Sequence, residues 1–188
     1  AHFDETASWA MLQFGDLKGK DQIQGDAYLS LAEEALNKAI EINPKKSSYF
    51  TRLARITFER KNFEQTRMML DKAFELYPYN TAALSLEKYI LEEWRRREPQ
   101  NPRFIRDLMY NQLKRLEITL SQMKFQDHLM LSKKQLESMY VDLDKRVAEL
   151  YTEIDLIKKS GLKVETDQFT KRISEIHNSA RELAGVDR

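Results

Sequence analysis

The sequence predicts an all-helical protein in two parts, a short helical repeat domain followed by long heptad helices. All four prolines lie between Pro44 and Pro102, whereas residues 103–160 contain neither proline nor glycine. Proline and glycine interrupt helices, and leucine, glutamate, lysine and arginine, which are frequent in this chain, favour them. We therefore expect several short helices before residue 101 and longer helices after it.

The overall composition excludes several classes of function. Lys+Arg (31) and Asp+Glu (30) nearly cancel, so bulk charge does not recruit nucleic acid or an anionic membrane. The chain has no cysteine, which removes disulfides, thiolate metal sites and cysteine nucleophiles. No stretch approaches the ~20 apolar residues of a membrane span. His2, His128 and His177 lack metal-ligand spacing, and no phosphate-binding loop or catalytic motif occurs. We expect no enzyme and no cofactor.

The sequence is compatible with two cellular locations. The chain starts at Ala1 without a methionine, which fits the loss of an upstream signal or anchor. Such a segment would place the protein in the periplasm or the cell envelope. Without one, we expect it in the cytoplasm.

The first stretch of the chain predicts an irregular helix. Residues 1–8 are expected to be a flexible lead-in, and a helix follows over Trp9–Leu17, with Gly15 where a neighbouring helix comes close. Residues 18–25 contain two glycines and predict a loop insertion. The large inward-facing side chains of this first helix are expected to be Trp9, Leu12 or Phe14.

A second helix is predicted from Ala27 to Ile42. Asp26 is a suitable N-cap, and apolar residues recur at helical spacing. Asn43-Pro44 ends the helix, because proline favours an extended conformation at the residue before it. The apolar stripe consists of Leu29, Ala32, Leu36, Ala39 and Ile40.

One phrase of the sequence occurs twice at a fixed interval. Ala39-Ile-Glu-Ile-Asn-Pro44 returns 34 residues later as Ala73-Phe-Glu-Leu-Tyr-Pro78, and Leu36 matches Leu70 at the same offset. A period of 34 residues with proline closing each unit resembles the tetratricopeptide repeat. The resemblance implies about 2.5 repeats over residues 9–101, each a pair of closely packed antiparallel helices.

The second copy fits the tetratricopeptide pattern best. A turn between its two helices is predicted at Lys61-Asn62. Thr57 and Thr66 depart from the aromatic residue and the alanine that the family usually has at these positions. The positions that fit are Phe50, Leu53, Ala54, Phe63, Leu70 and Ala73.

A third repeat should be incomplete. Thr81–Arg97 predicts its first helix, with Asn80 as the cap, and Glu98-Pro-Gln-Asn-Pro102 breaks the chain before a second helix can follow. Arg95–Arg97, beside Trp94, could receive a phosphate or an acidic peptide. Cations at a helix C-terminus, where the helix dipole favours them, explain this cluster better.

The tetratricopeptide resemblance also implies a binding surface, because the first helices of that family's repeats line a concave groove that holds partner peptides. Chaperone-binding members grip a C-terminal carboxylate with a lysine and an asparagine. Thr51 and Arg55 occupy those positions here, so the resemblance does not extend to a carboxylate clamp. The groove residues that it implies are Ser48, Thr51, Arg55, Phe58 and Glu59, followed by Ala82, Ser85, Tyr89 and Glu92.

Beyond residue 102 the apolar residues follow a heptad pattern. Their alternating spacing of four and three is that of a coiled-coil interface. The two registers do not join, because Met130 and Leu136 are six residues apart and Asp127 interrupts the apolar line. The predicted interface residues are Leu113, Leu116, Leu120 and Met123 in the first register, and Leu136, Tyr140, Leu143, Val147, Leu150, Ile154 and Ile157 in the second.

Two structures account for the change of register over residues 102–160. A single helix of about 55 residues would span roughly 80 Å and carry an irregularity, and the absence of glycine and proline favours it. Alternatively, the chain turns near Asp127–Leu131 and returns as an antiparallel hairpin, which the capping-box sequence Ser132-Lys-Lys-Gln135 favours. The long helix is the slightly preferred expectation.

Residues 161–188 predict a loop and a final amphipathic helix. Gly161 suits the left-handed position after a helix, and Asp167 can cap the next one. This last helix could fold back onto the preceding one. Its apolar stripe consists of Phe169, Ile173, Ile176, Ala180 and Leu183.

Together these features predict a non-enzymatic adaptor or assembly scaffold. Its repeat groove would bind a partner peptide or helix, and its heptad region would oligomerise the protein or act as a spacer. The apolar heptad stripe must be covered by something, which favours a homo-oligomer, with a dimer as the first choice. The alternative is a structural subunit of a larger cell-envelope or cytoskeletal assembly that binds no free peptide.

Overall fold

The chain is all-helical, as the sequence predicts. The structure is a computed structural model and describes residues 2–126 and 129–186, within which there is no β-strand. The helices in these ranges are α1 (His2–Leu17), α2 (Gln22–Ile42), α3 (Ser47–Glu59), α4 (Phe63–Leu76), α5 (Thr81–Arg97), α6 (Pro102–Lys124), α7 (Lys133–Ser160) and α8 (Asp167–Ala184). None of these helices combines the length and the apolar character needed to cross a membrane.

The helices form two compact units, Ala1–Leu86 and Glu87–Arg188. The division falls within α5, whereas the sequence places it at the proline-rich break near residue 101. The second half of α5 belongs to the later unit because its side chains contact that unit. The Trp94 ring lies 5.3 Å from the Phe104 ring, and Asn111 Nδ2 donates to Glu87 Oε2 at 2.7 Å.

The first unit consists of two helix hairpins, α1 with α2 and α3 with α4, followed by the start of α5. The 34-residue period is visible in its geometry, because α3 starts at Ser47 and α5 at Thr81, 34 residues apart. Residues matched at this offset are also buried alike. The matched pairs are Ala32 with Thr66, Leu36 with Leu70, and Ala39 with Ala73.

The predicted flexible lead-in and loop insertion are both wrong. Helix α1 already begins at His2, and α2 begins at Gln22 with Asp21 rather than Asp26 as its N-cap, whose carboxylate accepts from the Gln24 amide. The turn between the two helices is therefore short. Asp4 explains the early start of α1, since its carboxylate is anchored by cations of a later helix.

The inward face of α1 differs from the expectation in part, because Phe14 packs against the core as expected and the other two large side chains do not. Ala7 and Ala10 are fully buried, whereas Trp9 and Leu12 are 49% and 68% exposed. Small residues occupy this face because α1 and α2 pack closely, as the buried Ala32, Ala35 and Ala39 of α2 also indicate.

The close glycine contact involves a different glycine from the predicted one. Gly15 has open space around it, whereas Gly25, inside α2, packs beneath the Phe14 ring.

Thr57 and Thr66, the two departures from the repeat pattern, pair with each other. Both are buried, and their hydroxyl oxygens lie 2.9 Å apart between α3 and α4. Thr57 also donates to the Ala54 carbonyl at 3.0 Å. A hydrogen-bonded pair of threonines thus joins α3 to α4 at these two positions.

In the second unit, α6, α7 and α8 form a bundle that runs up, down and up. The Tyr110 and Phe169 rings meet near the start of α6 and α8, and Arg172 Nε donates to Glu117 Oε1 at 2.9 Å further along both helices. These two helices are therefore parallel. Helix α7 opposes them, because its early residue Tyr140 contacts His177, which is late in α8.

The prediction of a single long helix over residues 102–160 is wrong, and the observed structure is the antiparallel hairpin. Helix α6 ends at Lys124 and α7 begins at Lys133. Ser132 and Gln135 form the predicted capping box. The hairpin is favoured over the long helix because it allows the apolar stripes of α6, α7 and α8 to bury one another. Asp127, which the sequence places at the change of register, lies outside the described residues.

The end of α7 is at the predicted residue, and the start of α8 differs from the prediction by one residue. Gly161 adopts a left-handed conformation with φ of 72° at the C-cap of α7. The N-cap of α8 is Thr166, one residue before the predicted Asp167, and its side chain makes no capping hydrogen bond.

Candidate functional site

Helix α3 presents one polar stripe to solvent. Ser48, Arg52, Arg55 and Glu59 recur at intervals of three and four residues, and this spacing places them on one face of the helix. The remaining circumference packs into the unit through buried residues such as Tyr49, Leu53 and Ile56. The apolar spacing on one side of α3 therefore determines which side chains are exposed on the other.

Ion pairs with α1 occupy both ends of this stripe. At one end, Asp4 accepts from Lys46 Nζ at 2.8 Å and also from Arg52 Nη1. At the other end, Lys18 Nζ donates to Glu59 Oε2 at 2.6 Å. These bonds join residues more than 40 positions apart in the chain, so they fix α1 beside α3.

The Asp4 carboxyl is held in its ionised form by this arrangement. The hydrogen bond from Lys46, with help from the charge of Arg52, lowers its pKa, although partial burial alone would raise it. The same hydrogen bond raises the pKa of Lys46. The bridge at this end of the stripe therefore keeps both charges at neutral pH.

Arg55 is the cation of the stripe that stays available. It is exposed and lies about one helical turn from both Arg52 and Glu59. Within residues 2–126 and 129–186 it has neither a salt bridge nor a side-chain hydrogen bond. Arg60, at the end of α3, is by contrast engaged by Glu33 and by Ser30.

Thr51, a predicted groove residue, does not face a groove. It is 8% exposed, as are Ser47 and Asn80. Asn80 Nδ2 donates to Ser47 Oγ at 2.7 Å and to Thr51 Oγ1 at 3.0 Å, while Ser47 Oγ donates to the Ala73 carbonyl at 2.7 Å. This buried network joins α3, the end of α4 and the start of α5, so the structural role of Thr51 corrects its predicted role in binding.

Two other predicted groove residues are partly taken up by contacts inside the first unit. The Phe58 ring packs against the Phe63 ring at 6.0 Å and is half-buried. The Glu59 side chain is only 13% exposed and is paired with Lys18. Neither side chain is as accessible as that of Arg55.

The predicted groove residues of α5 lie on its exposed stripe. Ser85 and Tyr89 are exposed, and Glu92 is half-buried with Lys88 Nζ at 3.5 Å from its carboxylate. Ser85 belongs to the first unit, whereas Tyr89 and Glu92 belong to the second. A groove that combines the α3 stripe with this part of α5 stays a prediction.

The predicted coiled-coil interface is buried inside one copy of the chain. The stripes of α6 and α7 face each other and α8 in a single apolar cluster, in which Tyr140 is partly buried and the other predicted residues are buried. These residues are Leu113, Leu116, Leu120, Met123, Leu136, Tyr140, Leu143, Val147, Leu150, Ile154 and Ile157.

The cationic cluster at the end of α5 is engaged by neighbouring carboxylates. Arg95 pairs with Glu153 of α7, and Arg96 Nη1 donates to Glu93 Oε2 at 2.9 Å. All three arginines lie in the last turn of α5. This placement agrees with cations stabilising a helix C-terminus.

Sequence reasoning missed one polar cluster, in which His177 links α8 to α7. His177 Nε2 lies 2.8 Å from Asp144 Oδ1 and 3.1 Å from the Tyr140 hydroxyl. The i, i+4 spacing of Tyr140 and Asp144 was the available signal. No group of three possible metal ligands occurs among the residues that the structure describes, and His128 lies outside them.

Comparisons of this chain with protein-family models, with curated proteins and with solved structures give no match. The tetratricopeptide resemblance therefore rests on the 34-residue spacing and the helix pairs of the first unit.

Proposed function

We propose that this chain is a non-enzymatic protein–protein interaction module, an adaptor or assembly scaffold, whose α3 stripe binds an acidic segment of a partner protein. The observation that carries the proposal is Arg55, an exposed guanidinium without an ion-pair partner in the described residues. A guanidinium recognises carboxylates through paired hydrogen bonds, so an acidic peptide or helix is the fitting occupant.

The surroundings of Arg55 support this role. The ion pairs of Asp4 with Arg52 and of Lys18 with Glu59 brace the stripe at both ends. A surface that is already ordered loses less conformational entropy when a partner binds. Ser85 extends the surface, because the Asn80 network holds the start of α5 beside α3.

The second unit fits the spacer role better than the oligomerisation role. A dimer through the heptad stripes would require the bundle to open, because α6, α7 and α8 already cover these residues within one chain. The prediction of a dimer assumes that the apolar heptad stripe is exposed in a single copy of the chain. Packing of α6, α7 and α8 within one chain covers this stripe instead.

A structural subunit that binds no free peptide is the second candidate. The first hairpin exposes Trp9 at 49%, Leu12 at 68% and Ile23 at 86%. Large apolar side chains at the surface are a feature of interfaces within assemblies.

Reversal of the charge at position 55 tests the proposal. Arg55→Glu should abolish capture of partner proteins by the full chain and weaken binding of an acidic peptide from a captured partner at least about tenfold, because attraction becomes repulsion. Lys72→Glu, the same charge change on α4, should leave the affinity unchanged. The measurements are affinity capture followed by fluorescence anisotropy, with the mass of each variant checked by light scattering.

Two results would separate the candidates. If Arg55→Glu does not reduce capture of any partner, the α3 stripe is not a binding site. If Leu12→Asp instead changes the mass of the assembly while Arg55→Glu has no effect, the protein is a structural subunit.

A further inference from the structure

A cleft in the second unit gathers side chains from three segments of the chain. Its volume is about 280 Å³, close to the lower limit of small-molecule sites. Because α6 and α8 are parallel, their N-terminal ends lie together, and the connection from α7 to α8 closes the same side. The lining residues are Pro102, Arg103, Arg106 and Tyr110 of α6, Lys163, Val164 and Glu165 of the connection, and Gln168 and Phe169 of α8.

Three cations and one carboxylate line this cleft, and a second carboxylate, that of Asp107, lies within 4 Å of two of the cations. Among the residues that the structure describes, Arg103 and Arg106 form ion pairs with Asp107 alone, at 3.9 and 3.7 Å, which is beyond hydrogen-bond distance. Lys163 has no ion-pair or hydrogen-bond partner within the described parts of the chain. The lining carboxylate is Glu165. Within the described residues, none of the three cations therefore donates a hydrogen bond to a carboxylate, so their donors can contact an anion in the cleft.

Other cations of the same bundle have a structural role, because each is bound to carboxylates of the protein. Arg172 donates to Glu117 at 2.9 Å and to Glu175 at 3.1 Å, and these bonds raise its pKa. Arg95 is likewise engaged by Glu153. Arg103 and Arg106 differ from these because they reach their carboxylate, that of Asp107, only at 3.9 and 3.7 Å.

The first turn of α8 adds backbone donors to the cleft. Its N-cap, Thr166, makes no side-chain capping bond, so the amides of Gln168 and Phe169 receive no acceptor from the cap. Free amides at a helix N-terminus attract negative charge. They reinforce the positive potential of the cation cluster.

One wall of the cleft is apolar. The Tyr110 and Phe169 rings lie 4.6 Å apart at an angle of 58°, and Val164 stands beside them. Tyr110 remains 47% exposed. A ligand can therefore place a carbon skeleton against the rings while its charged group meets the cations.

From this arrangement we infer that the cleft binds a small phosphate monoester through Arg103, Arg106 and Lys163, with the organic part of the ester against Tyr110. Phosphate suits the cluster because its oxygens accept paired hydrogen bonds from guanidinium groups, and its negative charge is attracted by lining residues in which cations outnumber carboxylates. This site lies apart from the α3 stripe and does not depend on the proposed partner binding.

Titration of the full chain with phenyl phosphate and with inorganic phosphate, followed by NMR at low salt, tests the inference. Phenyl phosphate should give saturable shifts at the amides of Gln168 and Phe169, and it should bind more tightly than inorganic phosphate because it also contacts the rings. Arg106→Gln and Lys163→Gln should each weaken binding about tenfold or more. Arg172→Gln, the matched control, should leave the affinity unchanged.

Three results would overturn the inference. The first is the absence of saturable shifts in these residues. The second is an equal loss of affinity in Arg172→Gln and Arg106→Gln, which would indicate general charge attraction. The third is equal affinity for both phosphates, which would remove the ester from the proposal. Unchanged circular dichroism of each variant ensures that a loss of affinity reflects the cleft rather than unfolding.

Discussion

Replacing Asn80 should destabilise the first unit more than replacing an ordinary N-cap. Asn80 accepts from the Ala83 amide at 3.0 Å and donates to Ser47 and Thr51 in the buried network. Loss of an N-cap costs about 1 kcal/mol. Leaving buried hydroxyls without their donor adds about 1–3 kcal/mol. Asn80→Ala should therefore lower the free energy of unfolding by about 2–4 kcal/mol.

Asn62 provides the matched control for this substitution. It caps α4 through the Gln65 amide at 3.2 Å, but it is exposed and holds no buried network. Asn62→Ala should cost only about 1 kcal/mol. Asn80→Asp separates the two parts of the effect, because aspartate keeps a capping acceptor and loses both donors.

The assay is urea unfolding followed by circular dichroism. With a slope of about 1–3 kcal/mol per molar urea, Asn80→Ala should move the midpoint down by roughly 1–2 M. Amide hydrogen exchange should show the largest loss of protection at the start of α5. If Asn80→Ala costs no more than Asn62→Ala, the buried network contributes nothing beyond the cap, and the reasoning fails.

Two further predictions concern the Asp4 bridge and the apolar cluster. The pKa of Asp4 is lowered in the folded state, so its contribution to stability is present above about pH 4 and is lost as the pH falls through the folded pKa. Asp4→Asn should lower the urea midpoint at pH 7, and the difference from the wild type should narrow below pH 4; a difference independent of pH would contradict this. Leu150→Ala, at a site 1% exposed, should destabilise the second unit by about 2–5 kcal/mol. Its unfolding midpoint should not depend on protein concentration, and a midpoint that rises with concentration would indicate a dimer.

Local signals predicted most of the helices of the first unit. The apolar stripe, Pro44 and the turn at Lys61-Asn62 correspond to observed helix limits, because these signals act within one or two turns of the chain. The start of α1 was missed because it depends on Asp4, whose partners Lys46 and Arg52 lie more than 40 residues away. No pattern within the first eight residues shows such a contact.

The candidate site was predicted only in part. The register implied by the tetratricopeptide resemblance placed Arg55, Ser85 and Tyr89 at the surface, and all three are exposed. It also placed Thr51 there, although Asn80, 29 residues further on, draws that hydroxyl into a buried network. A residue at the edge of a helical stripe is exposed or buried according to what packs beside it, and periodicity does not report that neighbour.

The heptad region shows the same limit. The capping box at Ser132 and the apolar character of the heptad stripes agree with the structure, but both a long helix and a hairpin satisfy them. Packing decides between the two, because the stripes of α6, α7 and α8 bury one another only when the chain folds back.

The sequence by itself determined that this protein is helical, that its first part repeats every 34 residues, and that its later helices carry continuous apolar stripes. These properties follow from the spacing of residues within a few helical turns. Only the tertiary structure decided that the stripes are covered within one chain, that Thr51 is buried while Arg55 is accessible, and that Lys163 joins Arg103 and Arg106 in one cleft. The physical reason is that burial and charge clustering depend on residues that are distant in sequence and become neighbours only when the helices pack.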